Sequence, residues 1–158
     1  MKKRNMKIRK FEWKDIKQVL EIENESFDKD RWDEIEFLKY YEEAENGFIV
    51  CEEGARIIGY GIINNEGYIR SIAVIKEWRR KGIGKMILNE MERIAKENKN
   101  EVLSLHVRVS NKDAIEFYHK NGFKDIMILP KIYHDEDGIY LEKRLKEYRR
   151  LEEKMKNE

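Results

Sequence analysis

Seven residues, Arg79-Arg80-Lys81-Gly82-Ile83-Gly84-Lys85, carry the strongest chemical signal in this 158-residue chain. They lie between an apolar run ending at Ile75 and a segment of helical apolar period that begins near Ile83. A strand, a turn holding two glycines and a helix start together make an anion site. The first N–H groups of a helix have no internal acceptors and share the positive end of its dipole. Gly82 and Gly84 let the main chain approach a phosphate closely and adopt torsions closed to other residues. Arg79, Arg80, Lys81 and Lys85 add positive charge, so the predicted ligand is a pyrophosphate. A basic surface turn that happens to hold two glycines is the competing reading. The pattern is not a P-loop, Gly-x-x-x-x-Gly-Lys-Ser/Thr, and it lacks the third glycine of a dinucleotide-binding fingerprint.

Hydrophobic period supplies the elements that must position this turn. Strands are expected over 7–11, 48–52, 56–63, 68–75, 101–109, 123–131 and 139–145. Trp13, Ile16, Val19 and Leu20 mark the face of a first helix, and a second spans 32–43. Ile83, Ile87, Met91 and Ile94 carry a third through residue 98. Ser110-x-x-Asp113 reads as a capping box for a fourth, ending at Gly122. Asn46-Gly47, Glu53-Gly54 and the stretch 64–67 supply breaks and hairpin turns. The order is β-α-α-β-β-β-α-β-α-β-β, an α/β chain. The strand–helix–strand unit at 68–109 predicts a parallel, right-handed crossover, whereas the hairpins predict antiparallel pairing. A mixed central sheet flanked by helices is therefore expected, as one domain over 1–145. Residues 146–158, rich in Lys, Arg and Glu, read as a solvated helical tail, with partner docking as the alternative.

Two motifs give the chain a resemblance. Arg79-x-x-Gly82-x-Gly84, preceded by the strand Tyr68-Ile69-Arg70-Ser71-Ile72-Ala73-Val74, resembles the acetyl-CoA signature of the GCN5-related N-acetyltransferases. Leu105-His106-Val107-Arg108-Val109-Ser110-Asn111, followed by Ala114-Ile115-Glu116-Phe117-Tyr118 and Asn121-Gly122-Phe123, resembles that family's second motif. Together they are similar to protein N-terminal acetyltransferases of the bacterial ribosomal-protein-alanine, archaeal and eukaryotic types. The close match covers residues 67–145. The resemblance implies acetyl-CoA as co-substrate, with Ile72, Ala73 and Val74 offering backbone groups to its pantetheine amides. The Val74 N–H would be the oxyanion donor, and Ile83 belongs to the cradle with the turn residues around it.

Strand pleating puts His106 with Ser104 and Arg108, opposite Leu103, Leu105 and Val107. An imidazole, with an ordinary pKa near ~6.5, suits proton removal near neutrality, although a satisfied, partly buried histidine is the plainer reading. In the alanine-type enzymes this motif position carries glutamate, and in one eukaryotic type it carries histidine, as here. The resemblance therefore implies His106 as base through a water that Tyr68 helps to hold. It places Tyr118 beside the thioester sulfur, where a phenol returns a proton to the leaving thiolate. Asn111 would contact the pantetheine arm, and a helix-start role competes for it. Phe27 and Tyr133 would line the peptide slot, with core or lid packing as the alternative. Asp28 stands where the histidine-bearing type has proline, and Ile132-Tyr133 replaces its tyrosine pair, so first-residue specificity is left open.

The expected reaction is direct acetyl transfer to a primary amine, foremost the α-amino group of a protein N-terminus. A small-molecule amine or a protein lysine is the runner-up, and a non-catalytic acyl-CoA-binding regulator the third reading. A ribosome or an auxiliary subunit is the associate that the resemblance suggests. With 33 basic against 32 acidic residues there is no field to favour nucleic acid. No signal peptide is evident, and no apolar run approaches the ~18–20 residues that cross a bilayer, so no membrane partner is expected. The single cysteine, Cys51, excludes an internal disulfide, fits a reducing cytoplasm and reads as a small core residue. No metal ligand set is assigned.

Overall fold

The structure, a computed structural model, describes residues 5–145 and 154–157. Of the charged tail expected over 146–158, residues 146–153 and 158 lie outside the described residues, and 154–157 are exposed. The described chain forms two compact units. One gathers the residues up to Asn65 together with Ile69–Ile94; the other joins Glu66–Tyr68 to the chain from Ala95 onward.

The first unit is built on a four-stranded antiparallel sheet in the order β1-β2-β3-β4. Its strands are β1 (Met6–Lys10), β2 (Phe48–Glu53), β3 (Arg56–Ile63) and β4 (Ile69–Val74). Phe48, Ile49, Val50, Cys51, Ile57, Ile58, Tyr60, Ile62 and Ile63 are all buried, so β2 and β3 are covered on both faces. Their sequences accordingly read as continuous apolar runs rather than alternating ones. Helices α1 (Ile16–Ser26) and α2 (Glu34–Ala44), and α3 (Ile83–Glu97) as far as Ile94, belong to the same unit. Asp33 caps α2, accepting the Glu36 N–H at 2.9 Å, the reciprocal arrangement of a capping box.

Close approach of α3 to the sheet needs a residue without a side chain. A Cβ at Gly61 would lie 2.7 Å from Ile87 Cγ2. The apolar period of α3 does the rest, burying Ile83, Ile87, Leu88, Met91 and Ile94. Packing its first turn through Ile83 is what orients the helix N-terminus at the glycine turn. Burial also pushes the Cys51 thiol up to about 11, which makes it a core residue and a poor nucleophile.

The second unit carries a three-stranded antiparallel sheet, β5-β7-β6. It comprises β5 (Val102–Arg108), helix α4 (Lys112–Lys120), β6 (Lys124–Leu129) and β7 (Gly138–Arg144). Leu103, Leu105, Leu141, Phe123 and Tyr118 are buried there. The expected parallel relation between the strands of 68–109 is present as one bridge, Tyr68 to Ser104, rather than a ladder. Every named strand pair is antiparallel.

Three local expectations change. The first helix begins at Ile16, after a 3-10 turn at Trp13–Asp15, and Trp13 is a surface ring packed edge-on to Phe11. The second helix starts at Glu34 rather than residue 32. The cap of α4 is Asn111 and not Ser110: the Asn111 Oδ1 accepts the Ala114 N–H at 3.2 Å. Asn is a strong N-cap residue in its own right, and here it lies one position closer to the helix.

Candidate active site

In the first unit the turn before α3 combines two residues of positive φ, Arg80 at 62° and Gly82 at 85°. Gly82 tolerates this conformation, whereas Arg80 adopts it against its Cβ. The first turn bond from Gly82 is its carbonyl accepting the Met86 N–H at 3.1 Å. The side chains of Arg80, Lys81 and Lys85 are exposed, and the Lys81 ammonium lies 5.6 Å from the Trp78 ring centre. Ile83 is buried and Gly84 has no side chain, so only their main chain could serve a ligand.

Arg79 is placed differently from its neighbours. Its Nε donates to the Val74 carbonyl at 2.9 Å and its Nη2 to Ser26 Oγ at 3.2 Å. The guanidinium therefore braces the turn against the end of β4 and the last turn of α1. Ile72, Ala73 and Val74 lie on β4, the terminal strand of its sheet. An end strand has one row of backbone groups not used by its own ladder. Phe27, at the C-cap of α1, is half-buried, and its carbonyl accepts a bond from Arg31 Nε.

The second unit holds a connected group of rings. Tyr68 Oη is hydrogen-bonded to His106 Nδ1, and the two ring centres are 5.7 Å apart. The Tyr133 ring centre is also 5.7 Å from that of His106. Gly67 makes the first contact possible. With φ at 84° it brings its carbonyl to the Ser104 N–H at 3.0 Å, and a Cβ there would lie 2.5 Å from the Val102 carbonyl oxygen. Tyr68 is thus held beside Ser104, two residues before His106 on β5.

Tyr133 is fixed by groups that the sequence reading passed over. The Arg108 guanidinium lies 4.5 Å from the Tyr133 ring centre and 3.0 Å from both Asp135 Oδ1 and Glu136 Oε1. The second oxygen of Glu136 accepts the Ser110 N–H at 2.8 Å, and these bonds from Ser110 and Arg108 hold its carboxyl below the ordinary range. A signal was present: Arg108 shares the His106 face by the period of two.

Tyr118 is buried between the rings of Phe117 and Phe123, each 5.2 Å away. Burial, and then proximity to Tyr68, push its phenol well above the ordinary value. It therefore stays protonated across the physiological range. Among the described residues no cluster of three or more His, Cys, Asp or Glu could hold a metal ion. No described helix is long and apolar enough to cross a membrane.

Residues 13–123 match the sequence model of the Acetyltransferase (GNAT) family. The chain belongs to this family. An uncharacterized N-acetyltransferase of Methanocaldococcus jannaschii is 39% identical over 144 residues, covering 88% of this chain and 92% of the relative. An N-alpha-acetyltransferase of Sulfurisphaera tokodaii is 31% identical over 156 residues, with 89% and 93% covered. Among solved structures, Ard1 from Thermoplasma volcanium superposes with a TM-score of 0.84 at 25% identity, covering 89% of this chain and 98% of that one. The GNAT chain described here is thus an N-acetyltransferase with the fold that the two motifs implied.

Proposed function

We propose that this GNAT enzyme transfers the acetyl group of acetyl-CoA to the α-amino group of protein N-termini. The observation that carries the reading is the Tyr68–His106 hydrogen bond, which joins an imidazole to a phenol. A peptide α-amine has a reference pKa of ~7.7–8.0 against ~10.4 for lysine, so a histidine-assisted site favours the former. The S. tokodaii relative, named an N-alpha-acetyltransferase, supports the same acceptor. Residues 1–145 would act as one catalytic domain, in the cytoplasm, where the lone Cys51 stays reduced.

The roles follow from the chemistry. The main chain at Arg80–Lys85, with the charges of Arg80, Lys81 and Lys85, binds the diphosphate, and Arg79 shapes the turn from behind. Backbone groups of Ile72, Ala73 and Val74 hold the pantetheine arm, and Asn111 contacts the arm as well. The Val74 N–H stabilises the oxyanion, a donor type worth roughly 3 kcal/mol. For His106 to take a proton at Nε2, its Nδ1–H must donate to Tyr68 Oη, which is the tautomer this mechanism requires. A water between His106 and the ammonium accepts its proton as the imidazole is charged. The neutral nitrogen attacks the thioester carbonyl, the C–S bond breaks as Tyr118 protonates the departing thiolate, and the surplus proton on the new amide nitrogen passes to the tyrosinate and restores the phenol. Phe27 and Tyr133 line the acceptor slot.

A peptide library offered with acetyl-CoA tests this, comparing free with blocked N-termini and locating the modified nitrogen by mass spectrometry. Acetylation of lysine side chains alone would replace the reading with the protein-lysine one. Tyr118→Phe tests the acid. The ring and its packing remain, so the fold and the KM for acetyl-CoA should hold while kcat falls by roughly 100-fold. Wild-type turnover in that variant would return Tyr118 to packing.

A further inference from the structure

Glu23 is a carboxylate where α1 should be apolar. It continues the core-facing positions Ile16 and Val19, is 2% exposed, and has no role in the chemistry above. Its partners account for the burial. Oε2 accepts the Trp32 N–H at 2.9 Å, and Oε1 accepts the hydroxyl of Tyr60 from β3. That hydroxyl is also 3.2 Å from Ser71 Oγ on β4. The Glu23 backbone carbonyl, meanwhile, accepts the Phe27 N–H at 3.1 Å. Both ends of the seven-residue loop 27–33 therefore converge on one residue. Phe27 is tied through the carbonyl and Trp32 through the carboxylate. Burial raises the Glu23 carboxyl, while the Tyr60 hydroxyl and the Trp32 N–H draw it back.

The rest of the loop reinforces this latch. Trp32 packs at 4.5 Å from Tyr40 and 5.4 Å from Phe37, ring centre to ring centre. Arg31 closes onto the Phe27 carbonyl. Burying a carboxyl costs several kcal/mol unless it is well bonded, and an apolar residue at this helix position would fill the core without that cost. A carboxyl here does what an apolar side chain cannot: it fixes a loop backbone against the sheet.

We propose that Glu23 is the positioning residue of the acceptor side, holding loop 27–33 so that Phe27 presents one shape to the first residue of the peptide. The inference rests on the N-terminal peptide reading given above. Glu23 touches neither substrate, so its loss acts on acceptor recognition and leaves the acetyl-CoA cradle intact.

The test compares Glu23→Ala, Glu23→Gln and Tyr60→Phe with the wild type on the best N-terminal peptide from the library. Peptide KM, kcat, first-residue preference and acetyl-CoA affinity by calorimetry are read for each. In Glu23→Ala, kcat/KM for the peptide should fall roughly 10–100-fold, mainly through KM, with a broadened first-residue preference and acetyl-CoA affinity within about twofold. Glu23→Gln keeps an oxygen for the Trp32 N–H and should restore most of the loss, and Tyr60→Phe should fall between. A role in stability alone would lower the melting temperature without moving KM or preference. A folded Glu23→Ala enzyme with wild-type KM and preference overturns the proposal; should that variant not fold, the same result in Tyr60→Phe overturns it. A wild-type enzyme that turns over no N-terminal peptide overturns the acceptor reading itself, which a silent Glu23 variant in an active background does not.

Discussion

Gly82→Glu should abolish measurable acetyl-CoA binding, raising Kd by at least roughly 100-fold, or about 2.7 kcal/mol. Two effects add. Gly82 has a φ of 85°, a conformation that L side chains rarely adopt, so a Cβ there strains the turn. The new carboxylate would also stand among the N–H groups offered to a diphosphate, replacing attraction with repulsion at short range. Calorimetric titration with acetyl-CoA reads the loss directly. Unchanged affinity would mean that the diphosphate is bound elsewhere. Substituting Arg79 is the less direct experiment. Its guanidinium already bonds the Val74 carbonyl and Ser26 Oγ, so its removal would act through the shape of the turn.

His106→Ala should lower kcat/KM for a peptide by roughly 10²–10⁴-fold while leaving acetyl-CoA affinity near the wild-type value. The deficit should depend on pH with a definite sign. Below the α-amine pKa of ~7.7–8.0 the acceptor is charged and needs a base, so the variant suffers most there. Above that range the amine is neutral unaided, and the two rate profiles should converge. Tyr118 will not distort the comparison: burial keeps its phenol protonated through the whole interval, so the acid limb belongs to the base and the amine. A His106→Ala enzyme with wild-type rates from acidic to alkaline pH would remove the imidazole from the mechanism.

The glycine turn was legible in the chain because its physics is local. A glycine at a positive φ, a helix start and a cluster of cations need only neighbours in sequence, and the structure has Gly82 at 85° at the opening of α3. The element order was legible for a similar reason. Periods of two and of 3.6 survive in single stretches such as Ile83, Ile87, Met91 and Ile94, all of which are buried. The cap of α4 was misread by one residue because Ser110 and Asn111 are both good cap residues, and backbone geometry selected between them.

What tertiary structure alone decided are pairings across long stretches of chain. Thirty-eight residues separate Tyr68 from His106, and their bond exists because Gly67 sits against β5. The charge of Arg79 was plain in the sequence, but its hydrogen bond to Ser26, 53 residues away, was not. Glu23 and Tyr60 are 37 residues apart, and only the packing of α1 onto β3 makes a buried carboxyl acceptable. Local pattern fixes backbone conformation because its energies act between near neighbours; which polar group meets which depends on how the elements pack, and no single stretch of sequence contains that information.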